Sequence, residues 1–394
     1  MNADQSVNRA PNRRITKSPN PDVLVVGAGP AGTVAATLLA RRGVRVRLLD
    51  RAIFPRDKLC GDTVNPGTLA ILRRLRLACS IDACGLPIEG MRVSGSHGVV
   101  VDGRYPTGVV GRALLRRHLD WMLLQDAVAA GVQFEPGAPV RGAIVEDGQV
   151  TGVRLDRHCD LRATVTIAAD GRHSSLAFGL GLARHPASPR RWAIGAYFDV
   201  PGDSSKRTVG EMHVRQGHYI GIAPVPDGLT NVCLVKPWHV GDAAIGNPAA
   251  AIANVLARDP LLRDRFATAS IATTPVVLGP LAVDMERRSI DGLLLAGDAS
   301  GFIDPMTGDG LRFAIRGAEL TAGAALDALS HGWDGVHARL SHARHAEFSP
   351  KWRFNRAVRS LVASQSGVAL AAAGARMAPS VLRWAMLYAG DCTR

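Results

Sequence analysis

Three kinds of residue recur along this chain in spacings that can do chemistry. Gly27, Gly29 and Gly32 form G-x-G-x-x-G, with Pro30 and Ala31 between the last two. Such glycines allow a tight turn, close backbone approach to a pyrophosphate and close helix packing, while free N–H groups at the helix start face phosphate oxygens. Asp50 stands eighteen residues beyond Gly32, where a carboxylate can accept hydrogen bonds from ribose hydroxyls, and Arg51 follows it. Asp170-Gly171 and Gly297-Asp298 each set a carboxylate beside a glycine directly after an apolar run. The stretch FPRDKLCGDTVNPG, residues 54–67, holds a thiol, Cys60, flanked by Lys58 and Asp62. A neighbouring cation lowers a thiol pKa, so a reactive cysteine is one reading of this loop.

These groups need elements to hold them. VLVV at 23–26 is a continuous apolar run, as expected of a parallel strand buried on both faces. The glycine loop, an Ala/Leu-rich helix and a second strand, VRVRLL, follow in that order and end at Asp50. Strand, loop, helix, strand and terminal acid in register predict an adenine dinucleotide site. TVTIAA runs into Asp170 and LLLA into Gly297, and the C-terminal ends of strands are where doubly wound sheets hold ligands. RALLRRHLDWMLLQDAVAAG, from Arg112 to Gly131, has helical spacing. Residues 91–103, 191–200 and 211–235 are β-rich and alternating, which predicts one antiparallel substrate sheet assembled from separate inserts and enclosing an apolar cavity with the cofactor.

Composition narrows the class. Of 394 residues, 47% are apolar and 21% charged, which fits a globular enzyme and excludes a largely disordered chain. The net charge of +13 attracts anions, but no basic, aromatic-interleaved module points to nucleic acid. Six cysteines lack a CxxC pair or a zinc-ligand spacing, so they read as reduced cytosolic thiols and no metal is expected. Residues 1–20 are polar and basic and read as a disordered tail, and no apolar run is long enough to span a membrane. A cytoplasmic protein is expected. From residue 331 the chain turns helical and basic, with Lys351, Arg353, Arg356 and Arg359 among Trp352, Phe354, Val358 and Leu361. That pattern fits a helical cap on the body, or peripheral contact with an anionic inner-membrane surface. His331, His337, His342 and His345 read as surface residues.

Residues 21–330 together resemble the FAD-dependent family that joins aromatic-ring hydroxylases, flavin halogenases and geranylgeranyl reductases. Gly27, Gly29, Gly32 and Asp50 match its first fingerprint, with Asp50 where Glu is commoner. Arg112 matches the Arg that opens the long helix and contacts the cofactor. AADGRHSS, with Asp170, Gly171 and Ser174, matches the fingerprint that touches flavin and pyridine nucleotide, although Leu176-Ala177 stand where Val-Arg is common. AGDASGFIDPMTGDG matches the third, in which Gly297 and Asp298 approach the ribityl chain, and Pro305, Gly308, Gly310 and Leu311 border the ring. FPRDKLCGD and HYIGIAPVPDGLTNVCLV are most similar to the geranylgeranyl reductase branch, which puts Lys58, Cys60 and Gly61 near the flavin. Gly61-Asp62-Thr63 with Pro66 is also similar to a halogenase motif, but W-x-W-x-I-P is absent.

The resemblance implies an α/β fold: a Rossmann-like FAD-binding domain (21–85, 105–185, 285–330), an inserted antiparallel β-sheet substrate domain (86–104, 186–284) and a C-terminal helical region (331–394). It implies an FAD oxidoreductase acting on a hydrophobic substrate and reducing a carbon–carbon double bond, with a monooxygenase as the alternative. A halogenase and a non-catalytic flavin protein at a membrane surface come further behind. A single G-x-G-x-x-G leaves no second Rossmann domain, so NAD(P)H would dock transiently as reductant, or a separate donor protein would supply electrons. Cys60, Tyr219 and Pro305 are the candidate catalytic residues, with His218 a further proton-donor candidate. Asp304 and Asp309 read either as flavin-tuning carboxylates or as turn formers.

Overall fold

The apolar runs become the central strands. The computed structural model describes residues 20–392 apart from 59–60, 96–97, 157–158, 188–189, 202–207, 238–240 and 363–364. The expected N-terminal tail, except its last residue, and Cys60 therefore lie outside the described residues. Five strands pair in parallel in the order Leu293–Leu295, Val165–Ala168, Val23–Val26, Val46–Asp50 and Gln133–Pro136. Val23 and Val25 face a core built with the helices Pro30–Ala40, Arg116–Ala129 and Gly310–His331. Leu24 and Val26 face the other way, against Val150, Val153 and Leu161 of a small antiparallel sheet. Both faces are covered, so each of these side chains contributes about 1.5–3 kcal/mol by leaving water.

The long helix begins at Arg116, not Arg112. Arg112 lies on a short strand, Gly111–Ala113, held between Thr63–Val64 and Leu86–Ile88. Non-local pairing overrides the helical pattern that RALLRRH shows on its own.

The second sheet is assembled from inserts, as the alternating segments predict. Its seven-strand path runs Ser270–Ile271, Arg191–Asp199, Leu229–Pro237, His218–Pro224, Val209–Arg215, Gly90–Ser94 and Val100–Arg104, with Val276–Leu278 also paired to Arg191–Asp199. One pair is parallel rather than antiparallel. Val209–Arg215 and Gly90–Ser94 run the same way because they come from separate inserts and not from a hairpin. On the outer face Ile194, Phe198, Ile220 and Leu234 pack under the helix Pro248–Arg258. The inner face carries Met212, Tyr219, Gly221 and Cys233 towards the parallel sheet and its glycine loop.

Helices Val336–Val362, Gln365–Met377 and Pro379–Ala389 close the chain, and the last of them seats Met386 on Val99 and Val101. Among the described residues no helix is long and apolar enough to cross a membrane.

Candidate active site

A cleft of about 210 Å³ follows the C-terminal ends of the parallel strands. Gly29, Pro30 and Ala31 form one wall, at the start of the helix Pro30–Ala40, whose first turn has no side-chain cap. The three glycines do different work. Gly27 has φ +101° and a Cβ there would meet Ala169 O at 2.4 Å, while a Cβ at Gly32 would meet Gly27 O at 1.8 Å. Both are packing glycines. At Gly29 the nearest atom to a Cβ is Arg56 Nη2, at 3.7 Å, so the missing side chain leaves open space in front of free helix N–H groups.

The opposite walls hold Gly171, Arg172, Gly297, Asp298, Gly308, Gly310 and Leu311. Lys58 reaches the cleft, and burial, with Arg116 reinforcing it and Asp298 opposing, pulls its ammonium down to about 8. An anion bound there would raise it again. Arg116 also lines the cleft, fixed by a bidentate pair with buried Asp120 at 2.8 Å. Arg172 Nη1 is buried with no hydrogen-bond partner among the described residues. Open glycine, uncapped helix start, depressed ammonium and an unpaired guanidinium nitrogen fit a pyrophosphate-bearing dinucleotide.

Several expected contacts are already engaged within the protein. Asp50 accepts from Ala28 N at 2.7 Å and Ala52 N at 2.8 Å, which ties the strand end to the glycine loop and leaves further lone pairs for a ribose. Arg51 is exposed. Asp170 accepts from Ser175 N at 2.8 Å, and burial raises its pKa. Arg112 turns to Asp82 at 3.3 Å and to Gly85 O at 3.5 Å, and Arg116, four residues on at the start of the helix, takes the place in the cleft.

Two carboxylates fasten the loops that meet the cleft. Asp62 has φ +51° and is buried. Its Oδ2 accepts from Tyr197 Oη at 2.6 Å and from Asn231 Nδ2, and its Oδ1 from Arg116 N at 3.2 Å. Burial pushes its pKa up to about 6 against those donors. The loop expected near the flavin is thereby pinned both to the second sheet and to the start of the helix Arg116–Ala129. Asp304 Oδ1 accepts from Tyr219 Oη at 2.6 Å and from Met306 N at 3.0 Å, and its Oδ2 pairs with Arg191 at 3.2 Å. Asp304 is thus an anchor for the loop carrying Pro305. Tyr219, 4% exposed, has its hydroxyl committed to that carboxylate and its pKa raised, first by burial and then by Asp304, so it serves as wall and anchor. His218 faces Gln216 O at 3.2 Å and lines neither cavity.

A second cavity, of about 560 Å³, opens onto the cleft. Gly61, Thr63, Met212, Gly221, Cys233, Pro305 and Gly308 border both. Farther from the cleft its walls are mainly apolar and include Ile88, Val93, Val99, Phe354, Val358, Leu382 and Met386. Among the described residues no group of three or more His, Cys, Asp or Glu could hold a metal.

The FAD binding domain family matches residues 20–347. The chain belongs to that family. It is an FAD-dependent oxidoreductase. The chain is 28% identical to a digeranylgeranylglycerophospholipid reductase of Methanosarcina acetivorans, over 79% of this chain and 76% of that one. It is 29% identical to a menaquinone reductase of Mycolicibacterium smegmatis, over 76% and 75%. A flavin-dependent brominase shares the fold with a TM-score of 0.79 at 21% identity, covering 95% of this chain and 94% of that one.

Sequence reasoning missed Arg116 and Arg172 as cleft residues, and missed Asp62 as the pin. Arg172 directly follows the Asp170-Gly171 pair, a signal that was available. The partners of Asp62 lie 135 and 169 residues away, so no local pattern reveals them.

Proposed function

We propose that this chain adds hydrogen across a carbon–carbon double bond of a neutral hydrophobic substrate of polyprenyl, quinone or polyketide type. The observation that carries the reading is the apolar cavity of about 560 Å³ joined to the flavin cleft. FAD, when bound, supplies the hydride. The protein excludes water from the junction, which strengthens every polar interaction inside it. Pro305 and the 307–310 turn would border the flavin ring. Among the described residues Thr63 and Cys233 carry protic side chains at the junction, where either of them, or a water they hold, could deliver the proton. The names of the two reductase relatives support this reading. A monooxygenase would use the same cavity and differ in requiring dioxygen.

NADPH or NADH docks transiently as reductant. Under nitrogen either one should bleach the yellow holoenzyme, and menaquinone or a geranylgeranyl lipid added next should restore the colour. A flavin bleached by neither nucleotide would contradict the nicotinamide reading and leave a separate donor protein.

Lipid-side entry of the substrate follows from the rim of the large cavity. Met377, Val381 and Trp384 are 87, 64 and 54% exposed, Val381 also lines the cavity, and Arg376 and Arg383 are exposed beside them. An apolar patch edged with arginines suits an anionic bilayer. The protein should float with phosphatidylglycerol vesicles, and Met377→Ser with Trp384→Ser should cut the bound fraction at least ~5-fold, since each loses apolar burial. Equal flotation of the double variant would refute this.

A further inference from the structure

Lys351 belongs to the segment whose cations read as a membrane-facing surface, yet it is 3% exposed and points inward. Its ammonium lies 3.0 Å from Asp391 Oδ1 and 3.4 Å from Asp309 Oδ1, donates to Ala389 O at 3.1 Å and to Tyr388 O, and sits 4.7 Å from the centre of the Tyr388 ring. These partners come from two places. Tyr388, Ala389 and Asp391 form the C-terminal end of the helix Pro379–Ala389 and the turn after it. Asp309 stands between Gly308 and Gly310, both of which line the flavin cleft.

The same two places wall the substrate cavity. Ala385, Met386, Ala389 and Gly390 line it from the C-terminal helix, and Pro305, Met306, Thr307 and Gly308 from the flavin loop. The C-terminal turn has further ties. Gly67 N donates to Gly390 O at 3.1 Å, and Arg312, on the helix that starts at Gly310, pairs with Asp391. A Cβ on Gly67 would meet Asp391 Cβ at 2.2 Å, so that turn is seated closely. A lysine has three donors, and here they are spent on acceptors from both walls. Apolar packing could fill such a volume without loss of stability, so a buried charge cluster placed between two separate walls suggests that it fixes their relative position.

We infer that Lys351 is a positioning residue: its ammonium locks the C-terminal wall of the substrate cavity to the loop that borders the flavin, so that filling the cavity and placing that loop are one event. The inference rests on the flavin assignment of the cleft. Burial raises Asp309 to about 6, with Lys351 opposing and Asp391 reinforcing, which agrees with a carboxyl that depends on this lysine.

The test uses the full-length FAD-loaded protein, with N-phenyl-1-naphthylamine as a neutral apolar probe of the cavity. FAD content is measured first, so that a wild type without flavin would sink the cofactor reading and not this one. Wild type should bind the probe with a change in the visible circular dichroism of the flavin. Lys351→Met should keep FAD, bind the probe roughly tenfold more weakly and lose the flavin response, as the two walls separate. Asp391→Asn, which leaves Lys351 and Asp309 in place, provides a milder second variant if the first does not fold, and should weaken both readouts in the same direction. A wild type whose flavin ignores the probe, or folded variants with wild-type affinity or an intact flavin response, would overturn the inference.

Discussion

Gly29→Leu should yield a folded, soluble and colourless protein. The residue caps the helix Pro30–Ala40 with extended backbone, φ −77° and ψ −179°, which any L-residue adopts. A Cβ there has only Arg56 Nη2 within reach, at 3.7 Å, so the protein itself offers no objection. What the leucine fills is the space through which a pyrophosphate approaches the helix N–H groups. Loss of FAD affinity by at least ~1000-fold, about 4 kcal/mol, is expected. Flavin absorbance after gel filtration reads the outcome, and thermal unfolding shows that the fold persists. Gly32→Leu is the contrast, because a Cβ there would overlap Gly27 O and the helix could not dock. A yellow Gly29→Leu protein would remove the flavin cleft from where we place it.

Gly221→Phe should do the opposite, keeping the flavin and losing turnover. Gly221 lies on the inner face of the second sheet and borders both cavities. The nearest atoms to a Cβ are Cys233 O and Met212 Cε, each at 3.9 Å, so the first carbon fits without strain. The ring beyond it must enter the junction between substrate and flavin. Displacing the reacting bond by even an ångström costs on the order of 100-fold in rate, and a blocked junction more. Turnover should fall at least ~100-fold while FAD content stays within about twofold, since the substitution leaves the glycine loop and cleft walls untouched. Wild-type turnover in a flavin-loaded Gly221→Phe protein would mean that substrate reaches the flavin by another route.

The parts of this architecture that were legible are those written locally. VLVV, TVTIAA and LLLA are strands buried on both faces, and no polar residue other than threonine interrupts them, so their apolar continuity shows in any short window. Gly27, Gly29 and Gly32 announce the turn because their backbone demands are local as well. Illegible features depend on partners far along the chain. Arg112 reads as helical until Thr63–Val64 and Leu86–Ile88 claim its strand. Lys351 reads as a surface cation until the C-terminal turn, some forty residues on, brings Asp391 to it. Tyr219 reads as a proton donor until Asp304 takes its hydroxyl. In each case a long-range contact decides the role, and residue type and spacing record only what a side chain is able to do.

The central claim is that the junction between flavin and apolar cavity serves reduction of a double bond. The direct measurement is the mass of the product formed when the chemically reduced holoenzyme meets menaquinone, or a geranylgeranyl lipid, in the strict absence of dioxygen. The account predicts a product heavier by two hydrogens per turnover, formed at the rate at which the flavin regains its yellow colour, and still heavier by two hydrogens after air has returned any quinol to the quinone. A product that appears only after air is admitted, and that carries an added oxygen atom, would contradict it.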